Sequence, residues 1–174
     1  MSLEWVVSRA TENAQQRLAS VRLPAPAYAI ALYAADQDLL YASEIWIGLD
    51  SDRQDILATT EVDRAYRKVW HAWDFGAAGD DEPQLERDEQ FVRTRDELRV
   101  QLEGEGHLEP SRYVLRRAAK ALAALDPIRP VTSDFVVYVH DDRYDEGLVD
   151  DIRFSGSAAA VAQLERKRLL PHWF

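Results

Sequence analysis

The acidic residues that follow the apolar segment 135–140 are the side chains whose types and spacing are best suited to chemistry. Seven acids and one arginine lie between positions 134 and 151, a net charge of −6 within a chain of net charge −10. Such a group of carboxylates can attract a basic partner, bind a divalent cation or simply solvate a turn. The acids are Asp134, Asp141, Asp142, Asp145, Glu146, Asp150 and Asp151.

A docking surface for a basic protein is the first functional interpretation of this stretch. Clustered carboxylates steer a cationic partner and pair with its lysine and arginine side chains, and a neighbouring tyrosine can anchor the contact. This interpretation requires that the acids face water. The predicted partner-binding residues are Asp141, Asp142, Tyr144, Asp145 and Glu146.

A metal-dependent enzyme that uses the region of His140 and Asp141 is the alternative, because one imidazole with carboxylate oxygens suits a divalent ion. However, the remaining histidines, His71, His107 and His172, are scattered. The chain also has no His-Glu-x-x-His, Gly-x-Ser-x-Gly or Gly-x-x-x-x-Gly-Lys motif. We therefore predict a non-enzymatic protein with no catalytic residue, no metal ligand and no cofactor.

Charge and composition disfavour several classes of partner. A net charge of −10 repels phosphate backbones, so nucleic-acid binding is not expected. Cysteine is absent, as a protein in a reducing compartment can tolerate, and the longest apolar run, residues 27–35, is too short to cross a membrane. We expect a cytoplasmic protein that does not bind membranes. A homo-oligomer that buries Trp46, or Trp173 and Phe174, is a further alternative.

The apolar pattern predicts the elements that position these residues. Residues 28–34 and 39–49 are expected to form an antiparallel hairpin, residues 135–140 a further strand that is apolar on both sides, and residues 152–155 a short edge strand. Helical spacing predicts a helix over residues 62–73 with a buried aromatic stripe, and further helices at residues 3–21, 85–102, 111–125 and 157–164. The prediction is one α+β domain over residues 1–174, whose small, mainly antiparallel sheet of three or four strands is covered by helices.

Three short motifs carry a resemblance to a known family. They are Tyr28-Ala-Ile-Ala-Leu-Tyr, Trp70-His-Ala-Trp and Val136-Val-Tyr-Val-His-Asp. Their order over nearly the whole chain resembles that of an uncharacterised bacterial family, a domain of unknown function. The resemblance implies no catalytic residues. A looser similarity to small acidic immunity proteins, which neutralise toxins, implies a protein partner and agrees with the docking interpretation.

Overall fold

A four-stranded mixed sheet organises the residues that the computed structural model describes, which are 2–33, 39–79, 84–141 and 147–170. Its spatial order is β3-β2-β1-β4, with strands β1 (Ala27–Tyr33), β2 (Glu44–Leu49), β3 (Ala77–Ala78) and β4 (Val131–His140). β1 pairs antiparallel with β2 and parallel with β4. The predicted α+β class is confirmed, and so is the antiparallel pairing of the first two strands.

Helices cover both faces of the sheet, which explains why β1 is apolar throughout. On one face, Ile30 and Leu32 belong to an apolar cluster with helices α1 (Leu3–Ala19) and α5 (Pro110–Ala124). On the other face, Ala29 and Ala31 belong to a cluster with residues from the end of α3 (Val62–Val69), α6 (Leu148–Ser155) and α7 (Ala158–Arg166). Side chains alternate along β1, so each face receives its own set.

A third apolar cluster joins α4 (Glu89–Gly104) to α1 and α5. Phe91, Leu98 and Leu102 are the buried α4 residues of this cluster. The Asp88 side chain begins α4 by accepting hydrogen bonds from the backbone N–H groups of Gln90 and Phe91. No helix in the described ranges has both the length and the apolar character needed to span a membrane.

The expected edge strand at residues 152–155 is wrong, because these residues belong to α6. Val149 and Ile152 are three residues apart and both buried, which is the spacing of one helix face. The second predicted strand begins at Glu44 instead of residue 39. Leu40 has a φ of +53°, which is incompatible with an extended strand at that point.

The predicted helix over residues 62–73 also ends early, since α3 stops at Val69. Trp70 is buried, as predicted, but Trp73 lies in a short 3-10 turn (Ala72–Asp74) and is 45% exposed. A further helix, α2 (Asp50–Thr59), was not predicted from the sequence. Arg53 is its only buried residue, so it has no apolar stripe to signal a helix.

Candidate functional site

The candidate site lies at the edge of the sheet where the parallel strands β1 and β4 both end, here called the carboxyl edge. Tyr33 and His140 are the last residues of the two strands and pair in register. Asp141 follows His140 directly and is 8% exposed. The other predicted partner-binding residues, Asp142, Tyr144, Asp145 and Glu146, lie outside the described residues.

Asp134, the first acid of the stretch, is fully buried and neutralised inside the protein. Its carboxylate accepts hydrogen bonds from Arg53 Nη1 at 3.0 Å, Lys167 Nζ at 2.6 Å and Thr132 Oγ1 at 2.6 Å. Burial alone raises the pKa of Asp134, but the bonds from Lys167, Thr132 and Arg53 outweigh it and lower the pKa to about 2. Asp134 is therefore a structural anion.

Asp151 is also buried, with 3% of its surface exposed, but its surroundings differ. Arg112 Nε lies 3.1 Å and Arg116 Nε 2.8 Å from its carboxylate oxygens. Burial raises the pKa of the Asp151 carboxyl, and the two guanidinium groups offset this effect only in part.

The expectation that the acids of the stretch face water is therefore wrong for Asp141, a predicted partner-binding residue that is only 8% exposed, as well as for Asp134 and Asp151. Asp134 lies on β4 and Asp151 on α6, and both side chains are buried, where an unpaired carboxylate would be costly. Arg53 neutralises Asp134, and Arg112 neutralises Asp151. Asp150, by contrast, is exposed. Sequence proximity alone does not make this stretch a single anionic surface.

Gly147 is expected to be necessary for the contact between Arg112 and Asp151. A Cβ atom at position 147 would lie 1.4 Å from Arg112 Nη2, so the guanidinium group would have to move. We expect Gly147→Ala to lower the free energy of unfolding by about 1 kcal/mol, measured by urea denaturation. Gly104→Ala is the control, since the added carbon would meet nothing within 4 Å beyond its chain neighbours and its own helix backbone. Equal stability of the two variants would contradict this role of Gly147.

Three aromatic side chains form a cluster at the carboxyl edge, here called the Trp73 cluster: Tyr33, Trp46 and Trp73. The ring centroid of Trp73 lies 5.2 Å from that of Tyr33 in an edge-to-face arrangement and 5.4 Å from that of Trp46. Tyr33 pairs with Glu44, and Glu44 and Trp46 share one face of β2, so the sheet places both supporting rings under Trp73. An aromatic ring held in this way is a rigid apolar surface that remains 45% exposed.

Two histidines adjoin the cluster. The ring of His140 lies 5.8 Å from that of Tyr33 and 6.3 Å from that of His71, measured between centroids. His71 Nδ1 is 3.2 Å from a carboxylate oxygen of Asp74, and both of these side chains are more than half exposed. The fold thus brings Trp73, Asp74 and His71 beside the strand end that leads into the acidic stretch.

Sequence reasoning did not identify Trp73 as an exposed residue, because its spacing from Trp70 continued a helical stripe. The signals against a continuing helix were local. Asp74 and Gly76 lie within three residues after Trp73, and both residue types disfavour helix interiors. The contact of Trp73 with Tyr33, whose strand pairs with the strand that ends at His140, depends on tertiary structure and has no local signal.

The metal-enzyme alternative receives no structural support from the described parts of the chain. Within them, no group of three or more histidine, aspartate or glutamate side chains is arranged to hold a metal ion. The rings of His71 and His140 lie beside each other, and the ring of His140 also lies beside that of Tyr33.

Comparisons with protein-family models, with curated proteins and with solved structures found no match to this chain.

Proposed function

We propose that this protein is a non-enzymatic interaction protein of the cytoplasm that binds a basic protein partner at its carboxyl edge. The supporting observation is the position of Trp73, an exposed aromatic side chain that packs on Tyr33, the last residue of β1. Tyr33 in turn pairs with His140, the last residue of the parallel strand β4. The acids that follow β4 begin at this point, because Asp141 comes directly after His140.

An exposed tryptophan next to the exposed carboxylate of Asp74 has the chemistry of an interface anchor. Aromatic residues supply much of the binding energy at the centre of protein interfaces, and acidic groups around them steer and orient a cationic partner. Asp142, Asp145 and Glu146 are the proposed steering acids, with Tyr144 as a second aromatic contact. The net charge of −10 favours encounter with a basic protein over an acidic one.

The resemblance to immunity proteins suggests a basic toxin as one such partner. In that case the protein would act by occupying a surface of the toxin, so no catalytic group would be required. Such a toxin would be bound by the same residues, Trp73 and the acids that follow β4.

The proposal is tested by affinity capture from the native host, with retained proteins quantified by mass spectrometry. We expect the wild-type protein to retain a basic protein at least tenfold more than two variants do. One variant is Trp73→Ala, which removes the anchor, and the other is Asp142→Asn combined with Asp145→Asn and Glu146→Gln. Raising the salt concentration should weaken retention by the wild type, because exposed charges are screened.

The matched control removes three exposed acids elsewhere, Glu97 and Glu103 of α4 and Glu105 at its C-cap, each changed to glutamine. This control alters the net charge as the acidic-stretch variant does and should retain the partner normally. Thermal unfolding of Trp73→Ala must show that it is folded. The proposal fails if no basic protein depends on Trp73 and on the acidic stretch together.

A further inference from the structure

Two acidic side chains flank the Trp73 cluster, one from β2 and one from the short 3-10 turn. Glu44 pairs with Tyr33 across the antiparallel strands, so their side chains stand next to each other on one face of the sheet. Asp74 follows Trp73 in the turn, and its side chain is exposed. The cluster is therefore an aromatic surface with carboxylates beside it.

These two carboxylates differ from the buried acids in their pairing. Within the described ranges, no ion pair joins Glu44 or Asp74 to a lysine or an arginine, and Asp74 contacts Nδ1 of His71 at 3.2 Å. Asp134 and Asp151, by contrast, are each held by an internal arginine. A cation from outside the protein can therefore pair with Glu44 or Asp74 without displacing an internal one.

The aromatic rings of the cluster add a second attraction for cations. The face of a tryptophan ring is negative, and a cation within about 6 Å of the ring centroid is attracted to it. Trp73 is exposed, and its ring is held by contacts with Tyr33 and Trp46. Because the ring is already fixed, little side-chain entropy is lost when a ligand stacks on it.

The same combination of ring, cation and carboxylate already exists inside this fold. The guanidinium group of Arg53 lies 4.6 Å from the ring centroid of Tyr28 and donates a 2.8 Å hydrogen bond to Asp50. A planar guanidinium group can stack on a ring with its face while its N–H groups bond to carboxylates at its edge. An ammonium group has no such flat face and is more strongly hydrated, so a partly exposed site of this kind favours arginine over lysine.

We infer that the Trp73 cluster binds the guanidinium group of an arginine side chain. The guanidinium group would stack on the ring of Trp73, and its N–H groups would donate to the carboxylate of Asp74 or Glu44. Such an arginine would belong to the basic partner of the proposed function, on which this assignment rests.

The test is a titration of the isotope-labelled protein with Nα-acetyl-arginine methylamide at constant ionic strength, followed by the indole N–H signals in NMR spectra. Nα-acetyl-citrulline methylamide is the matched ligand, because citrulline has nearly the same shape and no charge. We expect the Trp73 signal to report at least fivefold tighter binding of the arginine compound than of the citrulline or the lysine compound. The signal of Trp5, which packs on Phe91 in the third apolar cluster, should not shift.

Variants of the two carboxylates test the ionic part of the site. Asp74→Asn combined with Glu44→Gln should weaken binding of the arginine compound at least fivefold and leave binding of the citrulline compound unchanged. Glu97→Gln with Glu103→Gln is the control, since it changes the net charge equally at exposed positions of α4. Equal effects of the two double variants would overturn the inference.

A variant of the ring tests the aromatic part. Trp73→Leu keeps an apolar side chain without a ring, so the preference for arginine over citrulline should be lost at the Trp46 signal. If this variant does not fold, the comparison of the compounds on the wild-type protein still decides. Equal affinity of the wild type for the arginine and citrulline compounds, or for the arginine and lysine compounds, would overturn the assignment of a guanidinium site.

The titration and the capture experiment can fail separately. If Trp73→Ala abolishes retention of a basic protein while the arginine and citrulline compounds bind equally, the proposed function stands and the guanidinium site is wrong. If the arginine compound binds selectively and no basic protein is retained, the guanidinium site stands and the proposed function is wrong.

Discussion

Replacing Arg53 by alanine is expected to lower the free energy of unfolding by about 3–5 kcal/mol, measured by urea denaturation at pH 7. Arg53 is buried and donates two hydrogen bonds to the fully buried carboxylate of Asp134, at 3.0 and 3.2 Å. Its guanidinium group also bonds to Asp50 and lies 4.6 Å from the ring centroid of Tyr28. Among the described residues, the variant leaves this buried anion with Lys167 and Thr132 as its side-chain partners.

The size of this effect comes from the charge that remains, and a second variant tests that explanation. Arg53→Met combined with Asp134→Leu removes both charges and should be more stable than Arg53→Ala alone, because no anion is left buried. Arg129→Ala is the surface control, since the pair of Arg129 and Asp126 is more than two-thirds exposed and should contribute at most about 1 kcal/mol. A loss below 1 kcal/mol for Arg53→Ala would contradict the proposed role.

The dependence of stability on pH provides the second large expected effect. The pKa of Asp134 is about 2 in the folded protein and about 3.9 for an ordinary aspartate, so its ionised form stabilises the fold above pH 4. This contribution is lost as the pH falls from 4 through 2. We expect the stability difference between wild type and Asp134→Asn to shrink by about 2 kcal/mol between pH 5 and pH 2.5, measured by urea denaturation.

Asp151 should show the opposite sign, which makes Asp151→Asn the control for the pH experiment. Its folded pKa is raised, so the protonated carboxyl is favoured by folding and the contribution of Asp151 decreases as the pH rises through that pKa. The wild type should therefore gain stability relative to Asp151→Asn as the pH falls. If both variants changed in the same direction, the two carboxyl groups would not differ in the way the structure indicates.

The burial of Asp134 and Asp151 also restricts which acids of the stretch are available for binding a partner. Both are held by internal cations, so neither should affect partner capture unless the fold is disturbed. The proposed binding surface is therefore narrower than the acidic stretch. Trp73 and the acids at positions 142, 145 and 146 are the groups on which it depends.

Much of the fold was predictable because its signals are local. The apolar runs around Ile30 and Val137 indicate strands covered on both faces, and the regular spacing of Leu115, Ala118 and Leu122 indicates a helix. The elements that were missed or misassigned have weak local patterns. α2 has only Arg53 buried, and α6 is a short helix in which β-branched and aromatic residues suggest a strand.

The sequence by itself determined the α+β class, the pairing of the first two strands and the negative charge of the protein, because these follow from local periodicity and composition. Only the tertiary structure decided that β4 lies beside β1, that Trp73 remains exposed beside Tyr33, and that Asp134 and Asp151 face inward. The physical reason is distance along the chain. Arg53 and Asp134 are 81 residues apart, and no local pattern shows which cation will neutralise a given carboxylate until the sheet brings them together.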